Sequence, residues 1–242
     1  MAMERVLQMK WIVDEKMELF RKALMKMGWY TEKMFLNAIE ALENKDSKLA
    51  KQVIEDDNVL DGMEIELREE AAVMMGIHTL IGSRLRFVVG SIQLANIFER
   101  IGDNARRISQ ITITLLREQP LNTSGILKLG KLTSNMLKES IRLLADLQPE
   151  GAFVICSKDA EVDELYQEIR SELLNSIRNK PDQIEKNMLL AEIAQRIEEI
   201  ADLSTNVVET VLYIVTSEAY KCFRDEMKLF KQSEGVLFGN ID

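Results

Sequence analysis

The chain has 242 residues, a formal net charge of −9 and a hydrophobic share of 46%. This hydrophobic share is typical of a globular protein and excludes a disordered chain. The acidic balance disfavours general nucleic-acid binding, which needs a Lys/Arg surface to replace phosphate counterions. With only 11 glycines and 3 prolines, the composition favours long helices over a many-turned β-fold.

Apolar residues recur at steps of three and four along most of the chain, and strict alternation is nowhere sustained. This pattern predicts an all-α protein, with turn and cap signals separating six long helices. A short C-terminal helix near 218–231 follows them, and its apolar residues would dock on a bundle or form a dimer contact: Phe223, Met227, Leu229 and Phe230. The six long helices are expected near residues 10–44, 47–75, 84–118, 125–147, 150–178 and 183–216.

The chain contains an internal repeat. EDDNVLDGMEIELREE (55–70) resembles SKDAEVDELYQEIRSE (157–172), and ANIFERIGDNARRI (95–108) resembles AQRIEEIADLSTNV (194–207). Because short loops make successive helices antiparallel, we predict two tandem antiparallel three-helix bundles. The predicted units are repeat one (1–118), repeat two (125–216) and a C-terminal extension (217–242).

Each repeat carries two pairs of acidic residues, and the members of a pair are four residues apart. The pairs on the second and third helices match those on the fifth and sixth at shifts of 102 and 99 residues. In both helical hairpins the two pairs are equally far from the turn, about 30 Å along the axis, so four carboxylates converge. The two sets are Asp57, Asp61, Glu99 and Asp103 in repeat one, and Asp159, Asp163, Glu198 and Asp202 in repeat two.

Four converging carboxylates protonate or bind a cation, because they cannot all stay ionised without one. An all-oxygen set suits hard cations such as Mg²⁺, Mn²⁺, Ca²⁺ or iron, and bridging carboxylates can hold more than one ion. Zinc is less favoured, because the only histidine is His78, in a turn. We therefore predict that the eight acids are metal ligands. The alternative is a set of solvated helix faces.

The cysteines and the N-terminal sequence indicate in which cellular compartment the protein is expected. Cys156 and Cys222 permit one bridge and belong to no CxxC motif. No signal peptide is recognisable, so we expect a cytoplasmic protein in a reducing compartment. No apolar run reaches the roughly 18 residues of a membrane span, so we expect no membrane insertion. Contact with the inner membrane would be peripheral and made through partners.

The paired E/DxxxD motifs, together with ERIGD (99–103) and EEIAD (198–202), resemble those of the PhoU family of phosphate-transport accessory proteins. The resemblance covers roughly residues 10–218. It implies a bacterial regulator that couples a phosphate importer, through its ATPase, to a sensor histidine kinase and represses the phosphate-starvation response. It also implies a homodimer without enzymatic activity. The implied cofactors are multinuclear iron clusters on the eight acids, with manganese, magnesium or zinc as alternatives.

One departure from the family pattern concerns the arginines of repeat one. Arg107 stands where the family usually has Asn, as Asn206 does in repeat two. We therefore expect Arg107 to bring a cation to the place of a ligand or its supporting group. Arg100, Arg106 and Arg107 together are interpreted either as surface ion pairs or as an anion site beside the metal.

Two other functions stay open from the sequence. A metal-dependent hydrolase or oxidase would use the same carboxylates to activate water or dioxygen. No general base stands apart from the proposed ligands, so no catalytic residue is assigned. A metal-free helical scaffold is the other alternative.

Overall fold

The computed structural model describes residues 2–116, 122–223 and 226–230, with side chains from residue 13 onward. The all-α prediction is confirmed, and most helix ends agree with it within about three residues. The first helix is longer than expected, since it begins at Ala2 rather than near residue 10. The helices are α1 (Ala2–Asn44), α2 (Ser47–Ile77), α3 (Ser83–Leu115), α4 (Ser124–Asp146), α5 (Ala152–Asn179) and α6 (Ile184–Thr216).

The six helices form two three-helix units joined side by side. In repeat one α2 packs on α1 and α3, and in repeat two α5 packs on α4 and α6. The α3–α6 and α1–α4 contacts join the units, so the buried apolar side chains form one continuous core. None of the helices described is apolar over enough length to cross a membrane. Residues 117–121, the predicted end of the third helix and start of the linker, lie outside the described residues.

Two glycines permit close approach of neighbouring helices. A Cβ on Gly90 of α3 would lie 2.6 Å from Cγ1 of Ile214 on α6, and one on Gly102 would lie 2.2 Å from Cδ2 of Leu60 on α2. Such contacts are too short for real carbon atoms, so α2 and α6 approach α3 at these points because no side chain intervenes. Gly102 directly precedes Asp103, so α2 and α3 approach closely at the level of the predicted acids.

The predicted C-terminal helix is wrong. The chain instead forms a two-stranded hairpin of β1 (Tyr220–Phe223) and β2 (Glu226–Leu229), with Tyr220 paired to Leu229. Helix α6 ends at Thr216, and the following residue, Ser217, has a left-handed φ of 65° that turns the chain away from the helix axis. In strands of only four residues, the alternation of apolar and polar side chains is too short to be distinguished in the sequence from the three- and four-residue spacing of a helix.

The hairpin also buries less than the helix prediction implied. Of the four apolar residues expected to dock, Met227 is buried, whereas Phe223, Leu229 and Phe230 are exposed. Alternation along β1 turns Tyr220 and Cys222 toward the bundle. Residues 231–242 of the predicted extension lie outside the described residues.

Candidate metal centres

The first acid cluster consists of Asp57 and Asp61 on α2 with Glu99 and Asp103 on α3. Burial raises the pKa of Asp57 to about 6; Arg106 opposes this rise, and Asp61 and Asp103 add to it. Burial also raises the pKa of Glu99 to about 7, with further contributions from Asp103 and Asp61 and a hydrogen bond to Asp103. The structure therefore brings together all four acids that the spacing singled out in repeat one.

The second acid cluster lies between α5 and α6. Burial raises the pKa of Glu198 to about 7, and Asp202, Asp163 and Glu199 raise it further. The pKa of Asp202 is raised by burial and then by Asp163 and Glu199. Three of the four predicted acids of repeat two are thus electrostatic neighbours. The fourth, Asp159, is half-buried one turn before Asp163, and its membership stays a prediction.

Two acids near the clusters were missed from the sequence. Glu64 adds to the raised pKa of Glu99, and Glu199 adds to those of Glu198 and Asp202. Glu64 follows Asp61 by three residues and so shares its helix face, which was a usable signal. Glu199 is adjacent to Glu198 in sequence, a spacing that turns side chains apart on a helix.

The cation in the first cluster is Arg106, not the predicted Arg107. Arg106 Nε lies 2.7 Å from Asp57 Oδ2, and the same guanidinium pairs with Asp103. Arg107 instead points across to α6, where its Nε lies 2.7 Å from Glu192 Oε1. The expectation that Arg107 occupies the place of a ligand is therefore wrong.

The arginines of ERIGDNARRI are engaged in ion pairs. Besides the pairs of Arg106 and Arg107, Arg100 Nη2 lies 3.3 Å from Glu199 Oε1 on α6. Arg196 of α6 reaches the other oxygen of Glu199 at 3.1 Å. These contacts favour the ion-pair interpretation over an anion site, and they run along the junction between the two repeats.

The comparisons with known proteins identify the family. A PhoU domain model matches residues 24–112 and 126–211 of the chain. The chain belongs to the PhoU family. Each matched segment lies within one helical repeat and contains its acid cluster.

Relatives of this PhoU chain are named accessory proteins rather than enzymes. The phosphate-specific transport system accessory protein PhoU homolog 2 of Thermotoga maritima is 41% identical over 232 residues, which cover 96% of this chain and 99% of the relative. A PhoU homolog of Rhizobium meliloti is 33% identical over 205 residues, 84% of this chain and 86% of its own. The crystal structure of PhoU from Pseudomonas aeruginosa superposes with a TM-score of 0.81 at 27% identity and covers 84% of this chain and 99% of its own.

The donor chemistry of both clusters in this PhoU chain fits hard cations. The residues offer carboxylate oxygens only, and burial together with neighbouring acids raises the pKa of Asp57, Glu99, Glu198 and Asp202. A bound cation would relieve the repulsion between these groups. Across the described side chains, no group of three or more His, Cys, Asp or Glu residues is arranged to hold a metal ion. A cation would therefore have to draw these side chains into a common arrangement.

Proposed function

We propose that this chain is a regulatory accessory protein of phosphate transport. It couples the ATPase of a phosphate importer to a sensor histidine kinase and represses the phosphate-starvation response when phosphate is ample. It acts as a homodimer in the cytoplasm and reaches the inner membrane through its partners. Family membership supports the proposal, as do relatives named for the phosphate-specific transport system.

We further propose that both acid clusters bind metal ions, with iron first and manganese, magnesium or zinc as alternatives. The repetition of the arrangement carries this proposal. At equivalent places, an acid on one helix raises the pKa of an acid on the other: Asp61 of α2 raises that of Glu99 on α3, and Asp163 of α5 raises that of Glu198 on α6. A solvated helix face gives acids no reason to converge in this way twice.

A cation at either cluster would act as a link between two helices. It would supply positive charge and Lewis acidity there, while the chain supplies the oxygens that hold it. In the first cluster these come from Asp57, Asp61, Glu99 and Asp103. In the second, Asp163, Glu198 and Asp202 are brought together, and Asp159 is the expected fourth ligand. Because the donors lie on separate helices, binding would favour the paired arrangement.

The metal proposal is tested with Asp103→Ala and Asp202→Ala combined, one acid from each cluster. We expect metal content by elemental analysis to fall by at least about half. The stabilisation by metal, about 2.7 kcal/mol for each site at a hundred times its Kd, would disappear from the thermal transition.

The control for that experiment is Glu164→Ala with Glu168→Ala. These exposed residues form a pair at the same spacing on α5, so the control removes the same two charges outside the clusters. Unchanged metal content in the Asp103/Asp202 variant would refute the metal sites. Protein purified without chelators or a histidine tag that takes up none of the four metals would do the same.

The regulatory proposal is tested in cells that lack the protein. We expect a phosphate-starvation reporter to be active at ample phosphate and to be silenced when the full chain is supplied. Crosslinking should capture the importer ATPase and the kinase. A reporter that stays silent without the protein would contradict repression. Phosphoester turnover by the metal-loaded protein, lost in the Asp103/Asp202 variant, would favour the hydrolase alternative.

A further inference from the structure

The C-terminal hairpin is fastened to repeat two by a covalent bond. Cys222 of β1 is joined to Cys156 of α5 across 66 residues of sequence, with their Cα atoms 5.8 Å apart. That separation is within the range that disulfides require. The bond lies between two elements that the rest of the fold brings together, so the backbone already presents the two cysteines to each other.

The non-covalent anchorage of the hairpin is small. Glu209 of α6 accepts a hydrogen bond from the Cys222 backbone N–H at 2.9 Å and pairs with Lys221. Met227 supplies a buried apolar contact, whereas Phe223 and Phe230 are 57% and 61% exposed. An isolated two-stranded hairpin is marginal in water, so the covalent bond supplies a large share of its attachment.

The two sulfurs differ in access. Cys156 is fully buried, whereas Cys222 is only partly buried on the packed face of β1. A reagent in solution therefore meets Cys222 first.

We propose that Cys156 and Cys222 are a reversible thiol-modification site whose closure fastens the hairpin to repeat two. The oxidant is a low-molecular-weight disulfide. The Cys222 thiolate attacks one of its sulfurs, forms a mixed disulfide and expels the first small thiolate, which takes up a proton. The Cys156 thiolate then attacks the Cys222 sulfur and expels the second. Two protein thiols are oxidised, and one small disulfide is reduced to two thiols.

The bond also connects the hairpin to the neighbourhood of the second acid cluster. Cys156 precedes Asp159 by three residues on α5, and Glu209 follows Asp202 by seven on α6, about 10 Å along the helix. Opening the bond would release the hairpin from the end of repeat two nearest the cluster. This inference does not depend on metal binding, so it stands or fails separately from the proposed function.

The test exposes the full-length protein to a series of glutathione and glutathione disulfide ratios. Thiols are trapped by alkylation and counted by mass, and brief trypsin digestion reports cleavage after Lys221 and Lys228 in the hairpin. We expect two alkylated cysteines in reduced protein and none in oxidised protein. Hairpin cleavage should be at least about tenfold faster in the reduced form, because proteolysis follows local opening. Cleavage after Lys45, in the turn between α1 and α2, is the internal reference.

Cys222→Ser is the matched variant and should show fast hairpin cleavage at every ratio. Cys156→Ala, which removes the other sulfur and suits a helix, should behave identically and guards against a defect peculiar to one variant. Three results would overturn the proposal: thiols that stay free at every ratio, a bond that glutathione never opens, or hairpin cleavage equally fast in oxidised and reduced protein. Oxidation that joins two chains instead of the hairpin to α5 would also overturn it.

Discussion

The two acid clusters occupy equivalent places in the repeats but differ in charge. In the first cluster Arg106 contacts Asp57 and Asp103, so the protein supplies a cation itself. The position equivalent to Arg106, 99 residues later, is Thr205, whose hydroxyl donates to the Asp202 backbone carbonyl at 2.7 Å. Among the described side chains no Lys or Arg forms an ion pair with Glu198 or Asp202. Glu198 and Asp202 thus lack the direct guanidinium contact that Asp57 and Asp103 have in the first cluster.

Different residues lie at equivalent buried positions beside the two clusters. In repeat one Gly102 meets Leu60, and the equivalent positions in repeat two are Ala201 and Val162, both fully or almost fully buried. Leucine and glycine together carry the same number of side-chain carbons as valine and alanine. From repeat one to repeat two, one carbon is moved from the earlier helix of the hairpin to the later one, which keeps the combined side-chain volume of the two positions similar. The two clusters are therefore flanked by similar side-chain volume but differ in the arginine contact that Asp57 and Asp103 make.

The largest expected effect is a loss of stability when the side chain at position 102 is enlarged without a compensating change at Leu60. Gly102→Ala would force Leu60 aside and should destabilise the protein by about 1–3 kcal/mol, which lowers the melting temperature by roughly 2–4 °C per kcal/mol. Adding Leu60→Val should restore most of the lost stability, because the two positions then carry the same residue types as Val162 and Ala201 in repeat two. Thermal unfolding of the single and double variants checks this. A double variant no more stable than Gly102→Ala would show that the two positions do not compensate.

Removing the Arg106 guanidinium should test how the two acid clusters differ in charge. In an Asp202→Ala background, Arg106→Gln should strengthen metal binding at the first cluster about tenfold, or about 1.4 kcal/mol, because the metal no longer competes with the guanidinium. Calorimetric titration measures the Kd. Arg100→Gln is the matched control, since Arg100 is on the same helix and pairs with Glu199 instead. Equal Kd values with and without Arg106 would remove the proposed difference between the clusters.

The smallest expected effect is a dependence of stability on pH. The raised pKa values of Glu99 and Glu198, about 7 each, mean that the folded protein binds protons more tightly than the unfolded chain. The free energy of unfolding of metal-free protein should therefore fall as pH rises from about 5 to 8. Saturating metal should oppose this fall, because cations and protons compete for the same oxygens.

Single substitutions separate the two contributions to the pH dependence. Glu99→Gln and Glu198→Gln should each flatten the dependence to a similar extent, and the double variant should flatten it most. Denaturant unfolding at a series of pH values provides the measurement. If only one substitution changes the slope of the free energy of unfolding against pH, the pKa of the other glutamate is not raised in solution. The two clusters would then differ in their protonation.

The sequence predicted those features that repeat along the chain. Six helices followed from the apolar period, and the convergence of Asp57 with Glu99 and Asp103 followed from equal distances to a turn. The choice between Arg106 and Arg107 was missed, because adjacent residues point about 100° apart on a helix. The spacing of three between Asp103 and Arg106 was the better guide.

The C-terminal region was harder to predict for a different physical reason. Its strands are four residues each, and their stability depends on Cys156 and Glu209, which lie far away in sequence. Local pattern carries no information about such partners. From the sequence, the two cysteines could be either free thiols or a disulfide. The position of the hairpin, which places Cys222 beside Cys156, distinguishes these two states.

The packing of α3 on α6 has a consequence for how the molecule unfolds. Gly90 allows α3 to approach Ile214 closely, and one buried core runs through both repeats. Although the repeats are separate units of sequence, we therefore expect them to unfold together in one transition. A ligand that stabilises either repeat would raise the unfolding temperature of the other as well. Binding at one acid cluster could then affect the stability of the other without a change in the structure of either. The two clusters would be coupled only because the α3–α6 interface unfolds together with both repeats.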